Sequence, residues 1–202
     1  MLTIHLVRHG DTIQAADGIF SGELDPPLTA HGKEQAELLG KAAASMDLVA
    51  LYSSPKLRAR QTAEPVARAS GLTPDLQDGL HEILYGSWEG RKETEVHAAE
   101  KEAFEAWRSD PSFYSPPGGE TAFAIAARAL PVIRLVRERH ASGHVMVVSH
   151  KATVRVITCA LLGIPLQRFR THIACPTTSI TSFEFHDEGP LLIGLGDTHH
   201  LH

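Results

Sequence analysis

Three times along this chain a short apolar run stops abruptly in a polar turn, and each time a segment with helical spacing follows. Thr3-Ile4-His5-Leu6-Val7 ends in Arg8-His9-Gly10, residues 47–53 end in Ser53-Ser54-Pro55, and residues 145–149 end in His150. Runs of this length, without strict apolar-polar alternation, are the pattern of strands buried on both faces. Strands of that kind alternating with helices imply a three-layer α/β/α fold with a mostly parallel central sheet. Residues 178–185 and 191–195, joined by Asp187-Glu188-Gly189-Pro190, are expected to add an antiparallel edge.

The intervening segments carry their own boundaries. Thr29 is positioned as an N-cap, and Ala36, Leu39 and Ala43 fall on one face of a helix over 29–44. Ser54 is expected to cap the next helix, with Pro55 in its first turn and Ser70-Gly71 at its end. A short edge strand is expected over 72–76, an irregular loop over 80–90, and one solvated helix over 93–108 anchored by Phe104 and Trp107. Residues 120–139 carry an apolar helical stripe of Ala126, Leu130, Ile133 and Val136, and a helix over 153–162 closes at Gly163. The His199-His200-His202 tail is expected to fray.

Composition sets the remaining bounds. With 202 residues, 43% of them hydrophobic, the chain can bury one substantial core, and no linker or repeat divides it, so residues 1–202 are expected to form a single domain. A net charge of -5 argues against a nucleic-acid partner. No apolar run reaches the roughly 20 residues of a membrane span, and no leader pattern precedes the first strand, so no membrane association and a cytoplasmic location are expected. Cys159 and Cys175 form neither a CxxC pair nor a zinc spacing and are expected to be reduced thiols.

The strand ends carry the chemistry. In an open α/β sheet the carboxyl ends of the strands share one edge, where ligand sites concentrate. The three runs therefore deliver Arg8 and His9, the turn leading to Arg58, and His150 to that edge. Two guanidinium forks and two imidazoles around a small space suit a dianion such as a phosphoryl group. No carboxylate cluster suggests a metal, so phosphoryl chemistry here is expected to need neither metal nor cofactor.

The ordered motifs resemble the histidine phosphatase superfamily, also called phosphoglycerate mutase-like, and in particular its short bacterial phosphatases. They are Leu6-Val7-Arg8-His9-Gly10-Asp11-Thr12; Ser21-Gly22 with Asp25-Pro26-Pro27-Leu28-Thr29; Ser53-Ser54-Pro55 with Arg58, Gln61, Thr62 and Ala63; Glu82 with Tyr85-Gly86 and Trp88-Glu89-Gly90; Pro117-Gly118-Gly119-Glu120-Thr121; and Ser149-His150. The resemblance implies that neutral His9 accepts the phosphoryl group as a phosphohistidine, while Arg8, Arg58 and His150 hold its oxygens. It implies that Glu82 protonates the leaving oxygen and then activates water, with Ile83, Leu84 and Trp88 raising its pKa by desolvation. Glu89, in the same loop, is the alternative acid. Backbone amides near Ser21 and Gly22 would touch phosphate or substrate, and the substrate wall would come from residues 84–120, including Tyr85, Trp107, Phe113 and Tyr114.

Two positions depart from the family pattern: Ala15 stands where an Asn is common and Ile19 where an Arg is common. Lys151, directly after His150, is the candidate substitute cation. Mutases of the superfamily carry a longer, basic insertion between the acid and the second histidine, whereas residues 93–106 here are more acidic than basic. A metal-independent phosphatase acting on a small phosphorylated metabolite is therefore the expected function, with a homodimer implied by the resemblance. The alternatives are a cofactor-dependent phosphoglycerate mutase and a weakly catalytic phospho-ligand binding or regulatory module, the latter motivated by Ala15 and Ile19.

Overall fold

In the computed structural model, which describes residues 1–202, the apolar strands divide their side chains between two faces. Strand β1 (Leu2–Arg8) sends Leu2, Ile4 and Leu6 to one side and Val7 to the other. Strand β4 (Gly143–Ser149) likewise sends Val145 and Val147 to the first side and Met146 and Val148 to the second. Both faces must therefore be covered by helices, each buried Val or Leu contributing roughly 1.5–3 kcal/mol.

The second face is covered by α2 (Ala30–Ala43) and α3 (Leu57–Ser70), which meet it with Leu39, Ala43, Ala59, Ala63 and Val66. The first is covered by α6 (Ala122–Arg139) and α7 (Lys151–Leu162), through Ala129, Ile133, Val136, Val154 and Ile157. Between these lie β2 (Leu48–Ser53), the two-residue β3 (Asp75–Leu76), α4 (Glu93–Ala99) and α5 (Lys101–Ser109), with the single-turn α1 (Ile13–Ala16) following β1. A single-turn α8 (Phe169–His172) and the hairpin of β5 (Ile180–His186) and β6 (Gly189–Asp197) complete the chain.

The six strands run in the order β3-β2-β4-β1-β5-β6, the first four mutually parallel, β5 antiparallel to β1 and β6 antiparallel to β5. The expected three-layer arrangement and antiparallel edge are both present. Register places Arg8 opposite Ser149 and Ser53 opposite Val148, so three polar strand ends arrive at one level of the sheet. Thr29 caps α2 as expected, its hydroxyl accepting the Gly32 amide, and Gly163 ends α7 in the left-handed region at φ 67°.

Several local expectations are corrected. Ser54 is not the N-cap of α3: Lys56 occupies that position with no side-chain bond, and the Ser54 hydroxyl accepts the Lys56 amide at 3.3 Å and His150 Nε2 at 2.8 Å. The helix expected over 93–108 breaks at Glu100, whose backbone leaves helical geometry (φ -131°, ψ 46°) while its carboxylate accepts Trp88 Nε1 and pairs with Arg91. The short edge strand is confined to Asp75–Leu76. The expected frayed tail is instead a 3-10 turn over His199–Leu201, with the His199 amide bonded to Asp197. No helix is long and apolar enough to cross a membrane.

Candidate active site

At the carboxyl ends of β1, β2 and β4 lies a cavity of about 340 Å³, lined by Arg8, His9, Arg58 and Glu82 at its inner end. His9 follows β1 directly, and its amide continues the ladder by donating to Ser149 O at 2.9 Å. Its Nδ1 lies 2.7 Å from the carbonyl of Gly10. A carbonyl can only accept, so the proton sits on Nδ1 and the lone pair on Nε2. Burial, and then the charges of Arg8 and Arg58, hold its pKa well below 6.5, so the ring is neutral.

His150 follows β4 in the matching position and packs edge-on to His9, ring centroids 5.1 Å apart. Arg58 Nε donates to its Nδ1 at 3.2 Å, which leaves the proton on Nε2 to be given to Ser54 Oγ at 2.8 Å. His150 is completely buried and is not among the cavity-lining residues. Its imidazole is held neutral by burial and by the charge of Arg58, and it acts here as a brace between Arg58 and β2.

Arg58, 1% exposed, is fixed from three sides. Besides His150 it donates to Leu24 O at 2.7 Å and Ser21 O at 3.1 Å, and Asp25 stands 3.8 Å away. Glu64, its nearest acid along the helix, instead faces Arg68. Arg8 donates to Cys175 O through Nη1, and its buried Nε has no protein partner. Each arginine thus offers unspent N–H groups to the cavity.

Glu82 is buried on the opposite side. Its carboxylate accepts the amides of Ile83 at 2.9 Å and of Ala152 at 3.1 Å, the latter in the first turn of α7. The loop carrying it is anchored by Arg128 of α6, which donates to the carbonyls of Gly79, His81 and Glu82 and pairs with Glu120 at 2.8 Å. Trp88 turns away into a separate aromatic cluster with Phe20, Phe104 and Trp107.

Glu89 has a different task. Its Oε1 accepts the amides of Gly22 and Glu23, each at 2.8 Å, and it does not line the cavity. Gly22 is likewise not a lining residue, and its amide is committed to Glu89, which corrects its expected place at the substrate. A Cβ at Gly22 would fall 1.9 Å from Ile83 O, so only glycine allows these two loops to meet. Ser21 does line the cavity, as do Lys151, Ala15 and Ile19. Tyr85 and Trp107 form part of the wall, whereas Phe113 and Tyr114 point to solvent.

Two lining cations were not among the residues expected at the site. Arg155 lies four residues after Lys151 on α7, a spacing that would have placed both on one face, and Arg170 arrives from α8 with its guanidinium 3.7 Å from the Trp107 ring. Nothing local in the sequence ties Arg170 to this wall.

The geometry has close relatives. The chain is 33% identical to phosphoserine phosphatase 1 of Hydrogenobacter thermophilus over 201 residues, covering 100% of this chain and 95% of that one. It is 33% identical to a glucosyl-3-phosphoglycerate phosphatase of Mycolicibacterium vanbaalenii over 171 residues, 81% and 76% of the two chains. Among solved structures, Bacillus stearothermophilus YhfR superposes with a TM-score of 0.94 at 29% identity, covering 100% of both chains. Residues 4–198 match the histidine phosphatase superfamily (branch 1), from β1 with its Arg8-His9 terminus through the β5–β6 hairpin, and the chain belongs to that superfamily.

Proposed function

We propose that the protein is a phosphatase that hydrolyses small phosphomonoesters by passing the phosphoryl group through His9. The observation that carries this reading is the neutral His9 ring, its Nδ1–H held by Gly10 O and its Nε2 without a protein partner at the floor of a cationic cavity. In the first step Nε2 attacks phosphorus and the bond to the ester oxygen breaks. Glu82, carrying a proton, gives it to that oxygen as the alcohol leaves. Arg8 and Arg58 bear the charge on the equatorial oxygens, and the Nε2–H that His150 now gives to Ser54 is a further donor within the same network. The Gly10 carbonyl faces the ring proton and supports the positive charge of the phosphorylated imidazole. In the second step the Glu82 carboxylate takes a proton from water as the water oxygen attacks phosphorus, the N–P bond breaks, and inorganic phosphate departs.

The test is phosphate release by the purified protein from a panel of phosphomonoesters, among them phosphoserine and 3-phosphoglycerate. Activity should fall on the order of 10⁴-fold in His9→Ala, and an alkali-stable, acid-labile protein phosphate should be trapped on the wild type alone. Full activity in His9→Ala overturns the assignment. Return of the phosphoryl group to a second hydroxyl without free phosphate would make the protein a mutase, and binding without turnover would make it a phospho-ligand module.

A further inference from the structure

The cavity is more cationic than phosphoryl transfer alone requires. Arg8, Arg58, Lys151, Arg155 and Arg170 line it against only two carboxylates, Glu82 and Glu93, in a chain whose net charge is -5. Arg8 and Arg58 serve the inner end. The other three, on α7 and α8, share the lining with Trp107, and they are poorly paired. Lys151 and Arg155 make no hydrogen bond or ion pair with any side chain, and Arg155 Nε is buried without a partner. Arg170 has one buried orphan, Nη1, while its Nη2 meets Glu93 at 3.6 Å. Gln14, on the same wall, has a buried Oε1 without a partner.

Like charges that share one cavity repel unless something neutralises them. Burial, and then the charges of Arg8 and Arg155, hold the Lys151 ammonium below its ordinary pKa, and Arg170 is lowered by burial with Arg155 among the smaller causes. Arg155 is one helical turn further along α7 than Lys151, about 6 Å of axial rise. Arg170 is kept in a fixed plane by the Trp107 ring, which pre-orients its fork. A planar fork with free N–H groups matches a carboxylate in two-point contact.

We propose that Lys151, Arg155 and Arg170 form a second anion subsite that selects phosphomonoesters whose alcohol carries a carboxylate, on a short arm a few ångströms from the ester oxygen. The proposal deepens the phosphatase reading and rests on it for its kinetic arm. Ala15 and Ile19, on the same lining, offer no polar side chain, whereas α7 and α8 bring three cations to it.

Two substrates that differ only at this group test it: 3-phosphoglycerate, which has the carboxylate, and glycerol 3-phosphate, which has a hydroxymethyl in its place. Wild-type kcat/KM should favour 3-phosphoglycerate by about tenfold or more, and Arg155→Met and Arg170→Met should each reduce that preference about tenfold, chiefly through KM. Arg155→Lys, which keeps charge but loses the fork, should recover part of it. Dissociation constants for the same two compounds, measured calorimetrically on His9→Ala, give the same ratio without turnover. That arm distinguishes failure of the subsite from failure of the phosphohistidine route. An absent preference, or one unchanged in both variants, overturns the proposal. A stronger preference for fructose 1,6-bisphosphate, lost in those variants, replaces the carboxylate with a second phosphate and overturns it as stated.

Discussion

The two ends of the cavity are built on opposite principles. At the inner end the functional side chains are held by the protein: His9 by Gly10, His150 by Arg58 and Ser54, Arg58 by Ser21 and Leu24, and Glu82 by Ile83 and Ala152, while Arg8, held through Nη1 by Cys175 O, alone among them keeps a buried Nε without a protein partner. At the outer end Arg155 and Arg170 keep buried N–H groups with no protein partner. Groups that must be in place when charge develops are held in advance by the fold, which removes reorganisation from the reacting step. Groups that recognise the rest of a substrate are left for the substrate to satisfy. The inner end therefore couples to stability, and the outer end couples to selectivity.

The sharpest way to break this contrast is Arg58→Met. It removes a cavity cation and releases the Ser21–Asp25 loop and His150 together. Phosphatase kcat/KM should fall about 10²–10³-fold, with a clear drop in melting temperature, whereas Arg155→Met should melt close to the wild type. Equal melting shifts for the two variants would erase the distinction between the ends.

Arg128→Met probes the inner end from behind. The ion pair with Glu120 is largely shielded, with side-chain exposures of 16% and 14%, and its loss frees the loop that carries Glu82. Urea unfolding should show a loss of about 3 kcal/mol, and kcat should fall with KM less affected. Arg128→Met combined with Glu120→Gln should cost less than the two separate losses added. Strict additivity would remove the pair as the anchor.

The last test concerns protons and is spread over a pH range. His5 is held down to about 4 by burial and by His144, and His9 and His150 are lowered in the same direction by burial and cationic neighbours. Below about 6.5 the unfolded chain takes up protons that the folded histidines refuse, so stability is highest above that pH and declines as pH falls towards about 4. His5 alone contributes roughly 3 kcal/mol across that window. Urea unfolding at pH 7.5, 5.5 and 4.5 checks it, and His5→Asn should flatten the decline. An unchanged slope in His5→Asn would exclude this histidine as a source.

How far the sequence could be read follows from where the information lies. The strand ends were legible because an apolar run that halts in Arg8-His9 or His150 reports its own boundary, and parallel pairing then brings those boundaries to one edge. Glu82 could be told from Glu89 only by resemblance, since both are acids in one irregular loop, and their separation depends on which one meets the Gly22 turn and which one meets α7. Ser54 resembled a cap because Ser-Pro opens many helices, but the N-cap falls at Lys56, and the Ser54 hydroxyl, besides accepting the Lys56 amide, also receives the distant His150. The break at Glu100 depends on Trp88 and Arg91, and the arrival of Arg170 at Trp107 depends on α8 folding back across the cavity. Contacts of that range leave no periodic trace in the chain.

The hydrogen bond from His9 Nδ1 to its neighbour's carbonyl also dictates regiochemistry. An imidazole can be phosphorylated at either nitrogen, giving two positional isomers with different hydrolytic lifetimes and different phosphorus chemical shifts. With Nδ1 occupied by its proton and pointed at backbone, only the nitrogen remote from the main chain is open to phosphorus. The adduct formed on the proposed route is therefore the tele isomer, and the pros isomer would require the ring to leave the carbonyl that holds it.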